Sequence, residues 1–282
     1  MVTKKALSLF CCISLACLAC ACAAIQPPDP GGPRSSGPLY PIVFTQEAER
    51  AQASIDGFNR LTQNAGIKAE VTLQPITATI QSVPMNLSTP LYLPKVGVEP
   101  EMNEEETRES LRRLVTDWRL LIGADPAHLS LVERTDRPDG VKVAKYEQRP
   151  FRYPLRGGYG LLEIQFLANR ALRNMTSTCI PEAARLQAAL AQVVPKLAAP
   201  DAIKLVQSSD IVYTDANGQQ LTIRVAATDV SAVELVTYVL PTTGRTDALE
   251  LHIAWEISIG SSSGRLVYVD AVEGKVLGGV QI

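Results

Sequence analysis

The side chains that most often carry catalytic chemistry are few in this sequence and widely scattered. The two histidines, His128 and His252, are too far apart for a His-x3-His pair on one helix, which excludes a zincin-type zinc site. The run Ser261–Gly264 has the composition of a hairpin loop rather than that of a nucleophile motif. The run Gly157–Gly160 lacks the Lys-Ser/Thr ending of a phosphate-binding loop, which indicates a turn. We therefore expect no catalytic residues, no metal and no cofactor.

Three other segments contain residues that could suggest a ligand, an anchor or a metal site, but their sequence context favours structural roles. His252 lies near Glu250 on a predicted strand, where a surface or edge histidine is expected more often than a ligand. Leu240–Gly244 matches the Leu-Pro-x-Thr-Gly sorting motif, but a polar, alternating segment follows it, which predicts a strand-to-turn junction. The run Glu104–Glu106 follows a predicted helix N-cap at Asn103, where carboxylates favour the helix dipole rather than a metal site.

The cysteines give the clearest positional signal in the sequence. Five of the six lie within the first 22 residues, and only Cys179 lies in the body of the chain. No intrachain disulfide framework or Cys-x2-Cys zinc site can therefore form in the body. For Cys179 we expect a buried structural thiol, with an intermolecular disulfide as the alternative.

The N-terminal residues predict export and lipid attachment. Met1–Lys5 carries two lysines, and Ala6–Ala19 is a run of apolar or small residues, as in a secretory signal. This run is shorter than the roughly 20 residues that a membrane span needs. The small residues and cysteines that follow resemble a bacterial lipobox, in which a cysteine is lipidated and becomes the first mature residue. We predict lipidation at Cys20, with Cys22 as the alternative site and ordinary cleavage after an Ala-x-Ala sequence as the alternative process.

Composition and charge set limits on the rest of the chain. The 282 residues are 46% hydrophobic and 20% charged, which is typical of a globular protein. Lysine and arginine number 27 against 29 aspartates and glutamates, so no basic excess favours nucleic-acid binding. We predict a signal peptide over residues 1–22 and a proline- and glycine-rich tether over 23–43. A tether after a lipidated cysteine would hold a folded body away from a membrane surface.

Periodicity predicts a mixed body after the tether. Residues 44–100 indicate a helix and one or two strands, and a capped helix is predicted over 103–123. An Ala/Leu-rich helix is predicted over about 181–197, and β structure over 203–206. Turn residues between alternating segments indicate hairpins at 136–140, 215–218 and 270–274. The predicted fold class is α+β, with antiparallel sheets packed against helices.

Four residues near the C-terminus are expected to have architectural roles. Asp270 opens a turn in which its carboxylate can accept amide hydrogen bonds, and Gly274 can supply the positive φ that completes the turn. Trp255 and Tyr268 are large amphipathic side chains that we expect to cover one face of a sheet.

These C-terminal strands resemble a module of known proteins. A strand containing Trp255 is followed by Tyr268-Val269-Asp270-Ala271 and then by Gly274-Lys275-Val276-Leu277. This succession resembles the PepSY module that closes the propeptide of thermolysin-like secreted metalloproteases. The resemblance implies a PepSY-like module over residues 200–282.

A second, upstream resemblance concerns the preceding module of the same propeptides. Tyr146-Glu147-Gln148 and the glycine-rich turn at Gly157–Gly160 resemble the fungalysin/thermolysin propeptide (FTP) module. The resemblance implies an FTP-like module over residues 101–199, and so two PepSY/FTP-like modules in all. The residues 44–100 are expected to precede both modules as an N-terminal helix with strands.

The family resemblance implies a function, because such a propeptide templates the folding of its protease and blocks the protease cleft. It implies a non-catalytic secreted lipoprotein that binds or inhibits an extracytoplasmic protease in trans, attached by its lipid to the membrane of a bacterial cell envelope. The expected partner is a secreted metalloprotease, bound through sheet edges and the C-terminal strand, since extended strands can add to a partner's sheet. The alternatives are a structural or interaction lipoprotein of the envelope without a protease partner, and a secreted soluble protein.

Overall fold

Two large sheets with helices packed against them make up the part of the chain that the computed structural model describes. The described residues are 39–63, 70–83, 89–99, 101–214, 219–225, 230–260 and 264–281. The helices are α1 (Ala48–Gln63), α2 (Glu104–Asp117), α3 (Arg119–Ile122), α4 (Ala183–Leu190) and α5 (Ala199–Ser208). The strands are β1 (Ile42–Thr45), β2 (Thr72–Leu73), β3 (Ile80–Ser82), β4 (Leu129–Asp136), β5 (Val141–Gln148), β6 (Leu155–Arg156), β7 (Leu161–Leu167), β8 (Leu172–Ser177), β9 (Asp210–Thr214), β10 (Gln220–Arg224), β11 (Val230–Pro241), β12 (Ala248–Ile259), β13 (Arg265–Asp270) and β14 (Val276–Gln281). The predicted mixed α+β class is confirmed.

Helix α2 begins at a fully formed cap. The Asn103 side chain accepts a hydrogen bond from the Glu106 amide, and the Glu106 carboxylate accepts one from the Asn103 amide. This reciprocal capping box satisfies two donors that a bare helix end would leave unpaired. The chain breaks helical geometry at Trp118 and ends α3 at Gly123, whose φ of 80° favours glycine. The predicted helix is therefore confirmed, with one internal break.

A four-stranded antiparallel sheet lies under α2 and α3. Its strand order is β4-β5-β7-β8, and the hairpin predicted at 136–140 joins its first two strands. Leu111 and Ile122 of the helices pack with Ile164 and Phe166 of β7 in one core, and all four are at most 2% exposed. Burial of these side chains from water supplies the main driving force for this layer.

The second sheet is larger, and helices cover one of its faces. Its strand order is β10-β9-β14-β13-β12-β11-β6, and β1 pairs separately with β12. Leu186 of α4 packs with Leu251, and Val206 of α5 packs with Val267, so both helices lie on the same face. We call this the helix-covered face and the opposite one the open face. Among the described residues, no helix has the length and apolar character needed to cross a bilayer.

Two expectations about local structure are wrong. Residues 203–206 belong to α5 and not to a strand, because Pro200 opens a helix there and Ala202 and Val206, one helical turn apart, are fully buried. Helix α4 ends at Leu190, well before Leu197. The amides of Lys196 and Leu197 donate instead to the Ala271 carbonyl, which ties this segment to the large sheet.

Trp255 and Tyr268 do not cover one face together, as the sequence suggested. Trp255 pairs across the ladder with Val269, and Tyr268 pairs with Glu256, so their side chains point to opposite faces. The Trp255 indole donates a 2.9 Å hydrogen bond to the Leu197 carbonyl on the helix-covered face. Tyr268 lies on the open face.

The first and last strands of the described body, β1 and β14, both pair with strands of the large sheet. Strand β14 lies between β13 and β9, so the C-terminal strand is internal and the expectation that it would be offered to a partner is wrong. Its pairing with β9 is parallel and depends on residues far away in sequence. Strand β1 begins at Ile42, inside the range predicted for the tether, because Ile42 and Phe44 are buried in the core beneath α4.

Candidate functional site

Among the polar side chains singled out in the sequence, the structure brings His252 and Asp270 into contact, and the other described ones lie apart from this pair. Cys20 and Cys22 lie outside the described residues, as do Ser261, Ser262 and Ser263. His128 ends a short 3-10 turn before β4. Among the described residues, no group of three His, Cys, Asp or Glu side chains is close enough to hold a metal ion.

Three structural predictions for these segments are confirmed. Cys179 is fully buried, and burial raises the pKa of its thiol to about 12, which keeps it protonated. The run Gly157–Gly160 forms a turn in which all three glycines have positive φ. The segment Leu240–Gly244 is a strand-to-turn junction, since β11 ends at Pro241 and Gly244 has a φ of 76°.

His252 is buried, so the prediction of a surface or edge histidine is wrong. Its side chain is 1% exposed, and its Nδ1 lies 2.7 Å from an Asp270 carboxylate oxygen. Its Nε2 lies 3.2 Å from Glu250 Oε2, and the ring packs edge-on against Tyr40. A histidine flanked by two carboxylates and a tyrosine is satisfied inside the sheet, which explains why it tolerates burial.

Asp270 is the centre of this buried network. Its Oδ1 accepts hydrogen bonds from the amides of Val272 and Glu273, as expected for the turn, and Gly274 completes that turn with a φ of 70°. Its Oδ2 accepts from the Tyr40 hydroxyl at 2.9 Å and contacts His252 Nδ1. Burial opposes ionisation, but the hydrogen bonds from His252 and the amides outweigh it and hold the pKa of Asp270 below its usual value.

A second polar network lies on the open face. Arg156 donates to Glu256 Oε2 at 2.7 Å and to Glu234 Oε1 at 2.9 Å. The Tyr268 hydroxyl donates to the same Glu256 oxygen at 3.2 Å, and its ring stacks on Tyr238 with centroids 4.0 Å apart. Burial tends to lower the pKa of Arg156, but the adjacent Glu256 carboxylate raises it overall. The arginine is thus a fixed cation that ties β6 to the open face.

A cleft of about 420 Å³ lies beside this network. The stacked Tyr238 and Tyr268 form one part of its lining, together with Leu266 and Val280. The turn at Gly157–Gly160 forms another part. An apolar cluster centred on the two tyrosines underlies this face, and no described helix contributes to that cluster.

A second cleft, of about 540 Å³, adjoins the first on the outer face of the four-stranded sheet. The two clefts share Glu147, Gly158 and Leu161 in their linings. Leu161 and Val132, which line the second cleft, are 48% and 45% exposed. The two faces on which no described helix packs therefore meet at the glycine-rich turn, and we call the combined surface the two-cleft surface.

The charged groups of the two-cleft surface are mostly paired with one another. Glu133 contacts Lys145 at 2.9 Å, and Glu147 contacts Arg149 at 2.7 Å. Exposed pairs of this kind contribute little to stability. The surface therefore offers apolar contacts rimmed by satisfied polar groups, the arrangement found at protein interfaces.

No family model matches this chain, and a search of curated proteins finds no significant match. The geometry of the two-cleft surface and of the buried networks is therefore the basis for the functional argument.

Sequence analysis missed Arg156, Glu256 and Tyr40 as members of these networks. A partial signal was present for Glu256, because it lies between the apolar residues Trp255 and Ile257, and a charge at such a position needs a partner. Arg156 is 100 residues from Glu256 and Tyr40 is 230 residues from Asp270, so neither pairing could be read from local spacing.

Proposed function

We propose that this chain is a secreted, lipid-anchored protein whose body is a free-standing protease prodomain of two modules, and that it binds or inhibits an extracytoplasmic protease in trans. The observation that carries the proposal is a repeated order of elements. A helix precedes the four strands of an antiparallel sheet in residues 104–177, and a second helix precedes six strands of the large sheet in residues 199–281, to which β1 and β6 are added from elsewhere in the chain. The first unit contains the FTP-like motif residues and the second ends in the PepSY-like hairpin.

Two motif residues have structural roles that support the resemblance. Gln148 is 4% exposed, and its side chain accepts from the Ile180 amide and donates to the Ile180 carbonyl, both at 2.9 Å. Asp270 organises the terminal hairpin through two amide hydrogen bonds. Both motif residues therefore fix the backbone through buried side-chain hydrogen bonds, as is expected of a motif that specifies a fold.

The two-cleft surface is the contact region that fits this function best. Strand β14 is internal, the edge strand β4 carries a bulge at Val132, and β11, whose outer side pairs only with the two residues of β6, carries one at Val233. Bulges at sheet edges hinder strand addition. The open faces instead present Leu161 and the tyrosine-lined cleft, so we place the protease contact there.

The internal C-terminal strand also favours the second candidate, a structural or interaction lipoprotein of the envelope with no protease partner. In that case the sheet faces would contact an envelope component other than a peptidase. The two candidates differ in what the two-cleft surface binds.

Capture from the native envelope separates the candidates. The full chain is immobilised and incubated with envelope and secreted fractions of the cells that produce it, and bound proteins are identified by mass spectrometry. We expect enrichment of a secreted metalloprotease whose activity falls in the presence of the chain. Recovery of envelope proteins without any peptidase would favour the second candidate and contradict the first.

A further inference from the structure

The carboxylates of the two-cleft surface outnumber its cations. Of the described residues that line the second cleft, three are glutamates and one is a lysine: Glu133, Glu147, Glu163 and Lys145. Arg149 and Arg156 line the first cleft, and Arg156 is shared between two further glutamates, Glu234 and Glu256. Over the two linings and the partners of Arg156, five carboxylates therefore stand against three cations.

Glu163 is the carboxylate of the second cleft that this arrangement leaves without a cation. It lies directly opposite Lys145 on the neighbouring strand, but the Lys145 ammonium contacts Glu133 instead, at 2.9 Å. Within the described part of the chain, Glu163 accepts a 2.6 Å hydrogen bond from the side-chain amide of Gln165 and forms no ion pair. A cation from another molecule would add a charge-assisted hydrogen bond to this carboxylate, which now has a neutral donor.

Apolar side chains lie beside this carboxylate. Leu161, two residues earlier on β7, and Val132 on β4 line the same cleft, and both are nearly half exposed. Lysine and arginine lay their aliphatic stems along apolar surface while the charged head stays in a polar environment. A basic side chain can therefore cover Leu161 and Val132 and still place its charge at Glu163.

The second cleft leads into the first across the glycine-rich turn. Gly158 and Leu161 line both clefts, and a Cβ at Gly158 would meet nothing within 4 Å. Because the space above the turn is open, one segment of a partner can run from the second cleft into the first. Leu266 and Val280 offer apolar contacts in the first cleft.

We propose that the two-cleft surface recognises a basic segment of its partner. A lysine or arginine of that segment lies in the second cleft, with its charged head at Glu163 and its stem on Leu161 and Val132, and a neighbouring apolar side chain fills the first cleft. This inference rests on the proposed function, because it names the chemistry of the protease segment that the surface would bind. The excess of carboxylates supplies specificity, since it repels an acidic segment.

The test selects peptides without assuming a protease. A phage-displayed library of random peptides of about twelve residues is selected on the immobilised full chain, and enriched peptides are then synthesised with a fluorophore. We expect the enriched sequences to combine lysine or arginine with aliphatic or aromatic residues. Replacement of the basic residue by glutamate should weaken binding at least about tenfold. Enrichment of peptides without basic residues, or of no peptide at all, would overturn the proposal.

Variants of the chain show whether the peptides bind at this surface. Glu163→Gln removes one charge at nearly constant size and should weaken peptide binding at least about threefold, with a larger effect at about 0.05 M than at about 0.5 M salt. Glu105→Gln is the matched control, because Glu105 is exposed on α2 and lines neither cleft, and it should bind like wild type. Leu161→Ala takes the place of Glu163→Gln if circular dichroism shows that the latter does not fold, and it should also weaken binding at least about threefold. Equal binding by the wild type and a folded cleft variant would overturn the proposal.

Failure of this inference and failure of the proposed function give different results. Selection of basic peptides that depend on Glu163, by a chain that inhibits no secreted protease, would contradict the proposed function alone. Inhibition of a protease that Leu161→Asp weakens and Glu163→Gln leaves unchanged would contradict this inference alone.

Discussion

Asp270 shows how much one side chain contributes to this fold. Its carboxylate accepts hydrogen bonds from two turn amides and from Tyr40, and it contacts His252, so it joins the terminal hairpin to the N-terminal strand. Because it is fully buried, removal of its charge would leave donors without an acceptor. Its ionised form is therefore required for the native packing of these two segments.

The depressed pKa of Asp270 makes stability depend on pH at the acid end. A carboxyl group whose pKa is lower in the folded state than in the unfolded state stabilises the folded state at pH values above its unfolded-state pKa. This stabilisation is lost as the pH falls through the folded-state pKa. Asp270→Asn should lower the free energy of unfolding by about 2–4 kcal/mol at pH 6. Urea titrations at pH 6 and pH 3 measure this, and the difference between wild type and variant should shrink at pH 3. A difference that is the same at both pH values would contradict this role.

Lipidation is a prediction about a single thiol. Cys20→Ala should abolish the lipid-modified N-terminus, because the attachment requires the cysteine sulfur, whereas Cys22→Ala should leave it intact. Intact-mass measurement of the mature protein, with and without the lipoprotein signal peptidase inhibitor globomycin, checks the result. The reverse pattern would move the site to Cys22, and an unmodified N-terminus after an Ala-x-Ala sequence would contradict lipidation.

At the scale of elements, the glycine-rich turn is where the two sheets meet. Gly157 has a φ of 92°, and a Cβ there would overlap the Val239 carbonyl of β11. Gly158 has a φ of 80°, but a Cβ there would meet nothing within 4 Å. Substitution at Gly158 therefore tests backbone conformation alone, whereas substitution at Gly157 tests backbone conformation together with close packing.

Alanine substitutions test this distinction. Gly158→Ala should cost about 1 kcal/mol, the usual penalty of a left-handed conformation for alanine. Gly157→Ala should cost about 3 kcal/mol or more, because the backbone of β11 must also move. Urea unfolding of both variants measures the difference. Equal destabilisation by the two substitutions would show that β6 does not hold the turn against β11.

The elements that sequence predicted correctly are those specified by neighbouring residues. The cap at Asn103, the stop at Gly123 and the Asp270 turn each depend on residues within a few positions, and all are present in the structure. The β-branched appearance of residues 203–206 misled the prediction, because burial of Ala202 and Val206 against the sheet determines the helix there.

The candidate site was less predictable, because its contacts join residues that are far apart in the sequence. The burial of His252 depends on Tyr40 and Asp270, which different strands bring together. The internal position of β14 depends on its parallel pairing with β9. Neither arrangement leaves a periodic signal in the sequence, because both are fixed by the order of strands in the sheet.

At the scale of the whole molecule, the folded body has a marked asymmetry. Helices cover one face of each sheet, while the other faces carry the two clefts and the tyrosine-centred cluster. Exposed apolar residues on such a face favour a contact with another macromolecule. In the proposed function this face contacts the protease, and the N-terminal lipid keeps the chain at the membrane.

Two exposed leucines provide the most direct test of this account. Leu161 lines both clefts and is 48% exposed, and Leu120 lies on α3 and is 40% exposed. The measurement is the inhibition constant of the purified full chain against the secreted metalloproteases of the cells that produce it. We predict that wild type and Leu120→Asp inhibit equally, and that Leu161→Asp inhibits at least about tenfold more weakly. No inhibition by wild type, or equal inhibition by both folded variants, would contradict the claim that this surface binds a protease.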